Sequence, residues 1–283
     1  MVKDLDARPS PIAGQWYPGD PKQLAVSVDE YIQEAQLPEL TGEVIAIMAP
    51  HAGHIYSGPV AGYAFAALKG LAPEIVAVIS PMHHPYPQAL LTTAHQAYET
   101  PLGVIPVDSE AVRALDAALT EKLGYGLAYV RRDPEHSLEI ELPFLQRSLA
   151  AGFQLLPVMV REVRPQVVQA LGLALAGVLK GRNALLVAST DLSHFYSQRV
   201  ANELDAEVLR RVEAFDPQGV LLVEEEGKGF ACGRGALAAV LWAAKELGGD
   251  TVKVLNHATS GDVTGDLSEV VGYGAAVVTR STR

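Results

Sequence analysis

Six of the eight histidines, His51, His54, His83, His84, His136 and His194, fall in or beside segments rich in Gly, Pro or Ser. The single cysteine, Cys232, lies in a comparable turn, Phe230-Ala-Cys-Gly-Arg-Gly235. Neutral imidazole is the commonest nitrogen ligand of zinc, iron and copper, and a thiolate adds charge and a soft donor. Two histidines and this cysteine could hold a divalent metal and leave a coordination position open. Each residue also has a plainer reading. His51, in Pro50-His-Ala-Gly53, equally suits a turn in which the ring only hydrogen-bonds backbone. Neighbouring side chains in an extended loop diverge, so one of His83 and His84 is the ligand and the other packs; His83 is favoured. A free cysteine is more often an inert small buried residue, but a helix N-terminus and Arg234 beside it would lower the thiol pKa.

Asp191-Leu-Ser-His194 offers a carboxylate and an imidazole three residues apart. In a helical turn both face one side, which suits an acid/base His194 oriented by Asp191; alternatively Asp191 or Ser193 caps a helix. Asp133-Pro-Glu-His136 reads as a helix start capped by Asp133, placing His136 and Glu139 on one face for a supporting or substrate-contacting role. Trp16 and Tyr17 could close over a pocket, although aromatic residues pack by default. His95 and His257 have no supporting context.

These residues need elements to bring them together. Strands are predicted at Val44 to Ala49, Glu74 to Ser80 and Ala184 to Thr190, and their ends deliver His51, His83 and Asp191. A helix is predicted from Ser57-Gly-Pro, with further helices at Ser109 to Leu119, Arg164 to Lys180, Gln198 to Phe215 and Gly235 to Leu247. Further strands fit Leu102 to Val107, Phe153 to Val160, Thr251 to Asn256 and Gly272 to Val278. Apolar strands interleaved with helices predict a single layered α/β domain over residues 1–283. Its central sheet is mostly parallel or mixed and is flanked by helices. Ligands in such sheets sit beyond the carboxyl ends of the strands, where these loops could converge.

Composition narrows the function. With 49% apolar and 19% charged residues, the chain can bury a substantial core. A formal charge of −11 with no basic stripe argues against nucleic acid as a partner. The longest apolar stretches, such as Val167 to Leu179, are too short for a membrane span. One cysteine cannot form an internal disulfide, and the segment Met1 to Ser10 has no apolar run resembling a signal peptide; a cytoplasmic location is expected.

Six ordered blocks then carry a family resemblance. They are Arg8-Pro-Ser-Pro-Ile-Ala-Gly-Gln-Trp-Tyr-Pro18, Ala49-Pro-His-Ala-Gly53 with Tyr56-Ser-Gly58, Ser80-Pro-Met-His-His84, Glu135-His-Ser-Leu-Glu139 with Leu142-Pro-Phe144, Ser189-Thr-Asp-Leu-Ser-His194, and Cys232-Gly-Arg234. Together they resemble the Memo family (mediator of cell motility), called AmmeMemoRadiSam system protein B in prokaryotes, over nearly the whole chain. The resemblance implies a fold similar to class III extradiol non-haem iron dioxygenases. It places His51, His83 and Cys232 at metal-ligand positions, with Asp191 and His194 beside them. Cys232 stands where those dioxygenases use a carboxylate, which softens the site toward copper or zinc and exposes the ligand to oxidation. Met82 also departs from a commoner Gly-Pro-Ser-His form and could narrow the pocket.

Three functions fit this reading. The first is an iron or copper oxidoreductase in which His194 is acid/base, Asp191 orients it and His136 contacts substrate, with Trp16, Tyr17, His84, Glu139 and Arg234 lining the binding site of a small molecule or peptide. The second is a non-catalytic metal- or partner-binding protein; the resemblance implies AMMECR-type and radical-SAM partner proteins. The third is a cysteine hydrolase using Cys232 as nucleophile and His194 as base.

Overall fold

A computed structural model describes residues 5–281. Met1 to Asp4, part of the segment read for a signal peptide, and Thr282 and Arg283 lie outside the described residues. The pattern along β3 (Ile75–Pro81) explains the architecture: Ile75, Ala77 and Ile79 join one packed cluster, while Val76 and Val78 join another. A strand apolar on both sides needs cover on both sides.

In chain order the elements are β1 (Ala7–Arg8), α1 (Pro21–Glu34), β2 (Glu43–Ala49), α2 (His54–Ala66), β3, β4 (Leu90–Thr93), β5 (Ala97–Thr100), β6 (Gly103–Pro106), α3 (Ser109–Leu123) and β7 (Ala128–Val130). A 3-10 turn at Glu139–Glu141 leads into α4 (Leu142–Ser148), followed by β8 (Gln154–Val160), α5 (Pro165–Leu179), β9 (Ala184–Ser189) and β10 (His194–Tyr196). Then come α6 (Gln198–Glu213), α7 (Pro217–Leu222), α8 (Arg234–Glu246), β11 (Thr251–Thr259), α9 (Ser260–Thr264) and β12 (Val270–Arg280). The main sheet runs β10-β12-β2-β9-β3-β8-β4-β7, with β11 paired to β12; β1, β5 and β6 form a small separate sheet. The chain is thus a single α/β domain with a mixed sheet: β2, β9, β3 and β8 are parallel neighbours, and antiparallel pairs flank them. The residues of α1, α2 and α4 pack on one face and those of α3, α5 and α8 on the other. Among the described residues no helix is long and apolar enough to cross a membrane.

Register positions the site. Ala49 lies opposite Ser189 and Ile79 opposite Ala188, so the loops after β2, β9 and β3 leave the sheet side by side. The helix expected from Ser57 begins earlier, at His54, with Pro59 inside it, because the turn after β2 winds directly into α2. A second correction concerns Asp133: no helix starts there, and its carboxylate pairs with Arg8 instead.

Helix α2 is held close to α1. A Cβ at Gly62 would meet the Tyr31 carbonyl well inside van der Waals contact, and the obstacle is backbone that cannot rotate away. Gly62→Ala should gain about 1 kcal/mol of helix propensity but lose about 1–3 kcal/mol or more to overpacking. The expected result is net destabilisation in urea unfolding; a stabilised variant would contradict this packing.

Candidate metal centre

Three imidazoles converge beyond the carboxyl ends of β2 and β3. One ring nitrogen from each of His51, His83 and His136 lies within 4.8 Å of the others, so the three could hold a metal ion. The ring centroids of His51 and His83 are 5.2 Å apart, those of His51 and His136 5.4 Å, and those of His83 and His136 4.8 Å. His51 arrives on the turn after β2, His83 on the loop after β3, and His136 on the irregular segment before the 3-10 turn.

The remote side of two of the rings is held by a hydrogen bond, as is usual for metal-binding histidines, and that of the third lies near a carboxylate. His51 Nδ1 lies 2.9 Å from Ser189 Oγ, His83 Nδ1 2.9 Å from Glu135 Oε1, and His136 Nδ1 3.4 Å from the same oxygen. These contacts leave the Nε2 atoms for an ion. Glu135 is the hub: its Oε2 accepts from His83 N, and Oε1 accepts from His136 N and Ser137 N. Burial alone would raise its pKa, but the His83 contact and the backbone N–H donors outweigh that and hold the carboxyl well below the usual range. Burial, and then repulsion from His136 and His83, keeps His51 well below its ordinary pKa. Burial likewise lowers His136 to about 4, against the opposing pull of Glu135. Both rings therefore present lone pairs at neutral pH.

Cys232 stands beside the cluster on the turn before α8, with Sγ 3.2 Å from His51 Nε2; the group whose ligand atoms converge is His51, His83 and His136, not the expected His51, His83 and Cys232. Gly233 permits this approach, because a Cβ there would collide with the Ser189 carbonyl and Thr190. The expected lowering of the thiol pKa is overturned: enclosure of the sulfur and the charge of Asp191 push it up. Arg234 does not counter this, since its guanidinium pairs with Glu224. A thiol so protected is a poor nucleophile at neutral pH, and its close imidazole is His51 rather than His194. The geometry disfavours a cysteine hydrolase.

Asp191 and His194 take separate tasks. The segment is not helical, because Ser193 and His194 run along β12 instead. Asp191 Oδ1 accepts from His51 N at 2.7 Å and Ala52 N at 3.3 Å, fixing the turn that carries His51, and burial raises its pKa to about 7. His194 Nδ1–H donates to Leu192 O at 2.8 Å, which leaves Nε2 as a free base; burial lowers its pKa.

Among the remaining candidates, Trp16 lies against His136 with ring centroids 4.1 Å apart. Tyr17 is buried and donates through Oη to Glu139 Oε1 at 2.6 Å, while Glu139 Oε2 accepts from Arg8. Glu139 and His136 therefore part company. His84 is partly exposed beside the cluster. Trp16, Tyr17, Ala52, Ile55, Tyr56 and Phe195 help line an open, mainly apolar cleft of ≈ 760 Å³. Phe195 is 70% exposed and holds φ of 63°, an unusual backbone state for an aromatic residue.

Arg8, Glu135 and Ser189 fall within the blocks that carry the resemblance, but no role was read for them or for Glu141, because their decisive partners, Asp133, His83 and His51, lie far away in the chain. His54, which the sequence places near the site, is buried in the core and donates from Nε2 to Ile140 O at 3.1 Å. Burial lowers its pKa to about 4, from 6.5. An unfolded chain protonates this ring first, so its contribution is intact above about pH 6.5 and lost as pH falls toward about 4, up to about 3 kcal/mol. In metal-free protein, His54→Leu should flatten the acid-side fall of the urea midpoint by about one proton; parallel slopes would contradict this.

The sheet and cluster together define an α/β protein with a three-histidine candidate metal centre beyond its central strands. The chain belongs to the Memo-like protein family, whose pattern matches residues 8–277. It is 34% identical over 274 residues to a MEMO1 family protein of Nitrosopumilus maritimus, covering 93% of this chain and 96% of the relative. A MEMO1 family protein of Methanopyrus kandleri is 35% identical over 280 residues (95% and 98%), and one of Thermotoga neapolitana 34% over 280 residues (94% and 98%).

Proposed function

We propose that this protein is a metal-dependent oxidoreductase holding iron or copper on His51, His83 and His136, with Cys232 as a further donor. The observation that carries the metal reading is the convergence of three imidazoles, two of them with the remote nitrogen already hydrogen-bonded. Imidazole suits iron, copper and zinc alike, and the adjacent sulfur favours the softer ions. When bound, a redox metal supplies electron exchange with oxygen or a reduced substrate. The resemblance to non-haem dioxygenases supports that choice over a purely structural zinc.

The protein's own residues would do the rest. Trp16 covers one side of His136, and the apolar cleft that Trp16 also lines offers a surface for a small aromatic or apolar ligand. His194, neutral near pH 7 with Nε2 free, can take a proton from such a ligand. Asp191 keeps His51 in place through its backbone. Oxygen consumption with small phenols, measured on iron- and copper-reconstituted protein, tests this reading. Metal-dependent uptake abolished by His51→Ala is expected; stoichiometric zinc in protein purified without added metal, with no redox turnover, would overturn it.

A further inference from the structure

Glu141 sits in the apolar run Ile140-Glu-Leu-Pro-Phe144 and is 1% exposed. Its Oε1 lies 2.6 Å from Ser189 Oγ, and its Oε2 has no hydrogen-bond partner among the described residues. The Ser189 hydroxyl makes two more contacts, 2.6 Å to Ser137 O and 2.9 Å to His51 Nδ1. A hydroxyl has one proton to give and two lone pairs to offer. Ser137 O is a carbonyl and can only accept, so it takes the Ser189 proton. The other two neighbours must then donate to Ser189. Glu141 can donate only as a carboxylic acid, and His51 only with its proton on Nδ1.

The alternative fails on the same count. A charged Glu141 would claim the hydroxyl proton, leaving two bare oxygens 2.6 Å apart at Ser137 and Ser189. It would also bury an unpaired carboxylate oxygen. Burial and the neighbouring Asp191 both favour the neutral acid, which only the Ser189 contact opposes.

We propose that Glu141 is a neutral carboxylic acid that, acting through Ser189, fixes His51 as the Nδ1–H tautomer and turns its Nε2 lone pair into the candidate metal centre. Glu141 and Ser189 are positioning residues, since neither reaches the ion position itself. Cys232 fits the same arrangement: in metal-free protein its S–H can donate to His51 Nε2 across 3.2 Å. The role toward a metal rests on the function proposed above, whereas the protonation state and the tautomer do not.

The experiment combines three readouts on the full chain. An infrared difference spectrum of metal-free wild type against Glu141→Gln at neutral pH should show a lost carboxylic-acid C=O band; loss of carboxylate bands alone would overturn the proposal. Nitrogen-15 resonances should show His51 as the Nδ1–H tautomer, and an Nε2–H ring would overturn it as well. Cobalt(II) binding should weaken at least about tenfold in Ser189→Ala and Glu141→Leu. Glu141→Gln, whose amide can donate to Ser189, should recover most of that loss; failure to recover would count against the relay. Should Glu141→Leu fail to fold, Ser189→Ala and the Gln variant still decide. Wild type with the acid band and the Nδ1–H tautomer but no cobalt binding would support the Glu141 assignment and overturn the metal reading.

Discussion

Arg8→Ala is expected to cost about 3–5 kcal/mol of stability, because it strands two buried carboxylates. Arg8 is 1% exposed, and its guanidinium makes five hydrogen bonds. Nε and Nη2 donate to the two Asp133 carboxylate oxygens, Nη1 donates to Glu139 at 2.6 Å, and Nη2 also reaches the Asp133 and Glu135 carbonyls. Apolar replacement of all three partners together could be nearly neutral, but removing the cation alone is not. Lysine keeps the charge without the planar fork, so Arg8→Lys should fall between wild type and Ala. Urea unfolding measures this, and a loss under about 1 kcal/mol would contradict the account. The effect extends to the site, because Arg8 clamps the backbone on which Glu135 holds His83 and His136.

Glu135→Gln is the second large effect, despite its near-identical shape. Both carboxylate oxygens accept from N–H donors: Oε2 from His83 N, and Oε1 from His136 N, Ser137 N and His83 Nδ1. An amide must place NH₂ against one of these donors. The expected cost is about 1–3 kcal/mol for the unmade bonds, with metal affinity falling about 10–100-fold. The sign of the pH dependence follows from the depressed carboxyl pKa. Glu135 stabilises the fold fully above its ordinary value of 4.5, and this is lost as pH falls toward its lowered value. The Gln variant should lack that acid-side loss. Titration calorimetry with cobalt(II) and unfolding at several pH values check both halves; unchanged affinity and an unchanged acid limb would contradict them.

The strands that carry His51, His83 and Asp191 were legible because parallel central strands are apolar on both faces, as Val76 to Ile79 illustrates. Their side-by-side exit from the sheet follows from the rule for ligand loops in such sheets. Long-range pairing was not legible. Asp133-Pro looks like a helix cap locally, but Arg8, 125 positions away, claims its carboxylate. Asp191 and His194 look like a helical pair, but Ser193 and His194 are bonded along β12, and Asp191 turns to the backbone of His51. For Cys232, nearness to Arg234 and a helix start suggests an acidic thiol; Glu224 takes the arginine, and burial with Asp191 raises the pKa. In each case a partner outside the local window decided the outcome.

The most direct test of the metal centre is element-resolved metal analysis of protein purified without added metal, wild type beside His51→Ala. The structure predicts close to one equivalent of a transition metal in wild type, and little or none once His51 is removed. Equal metal content in the two proteins, or none in a folded wild type, would contradict a centre built on His51, His83 and His136.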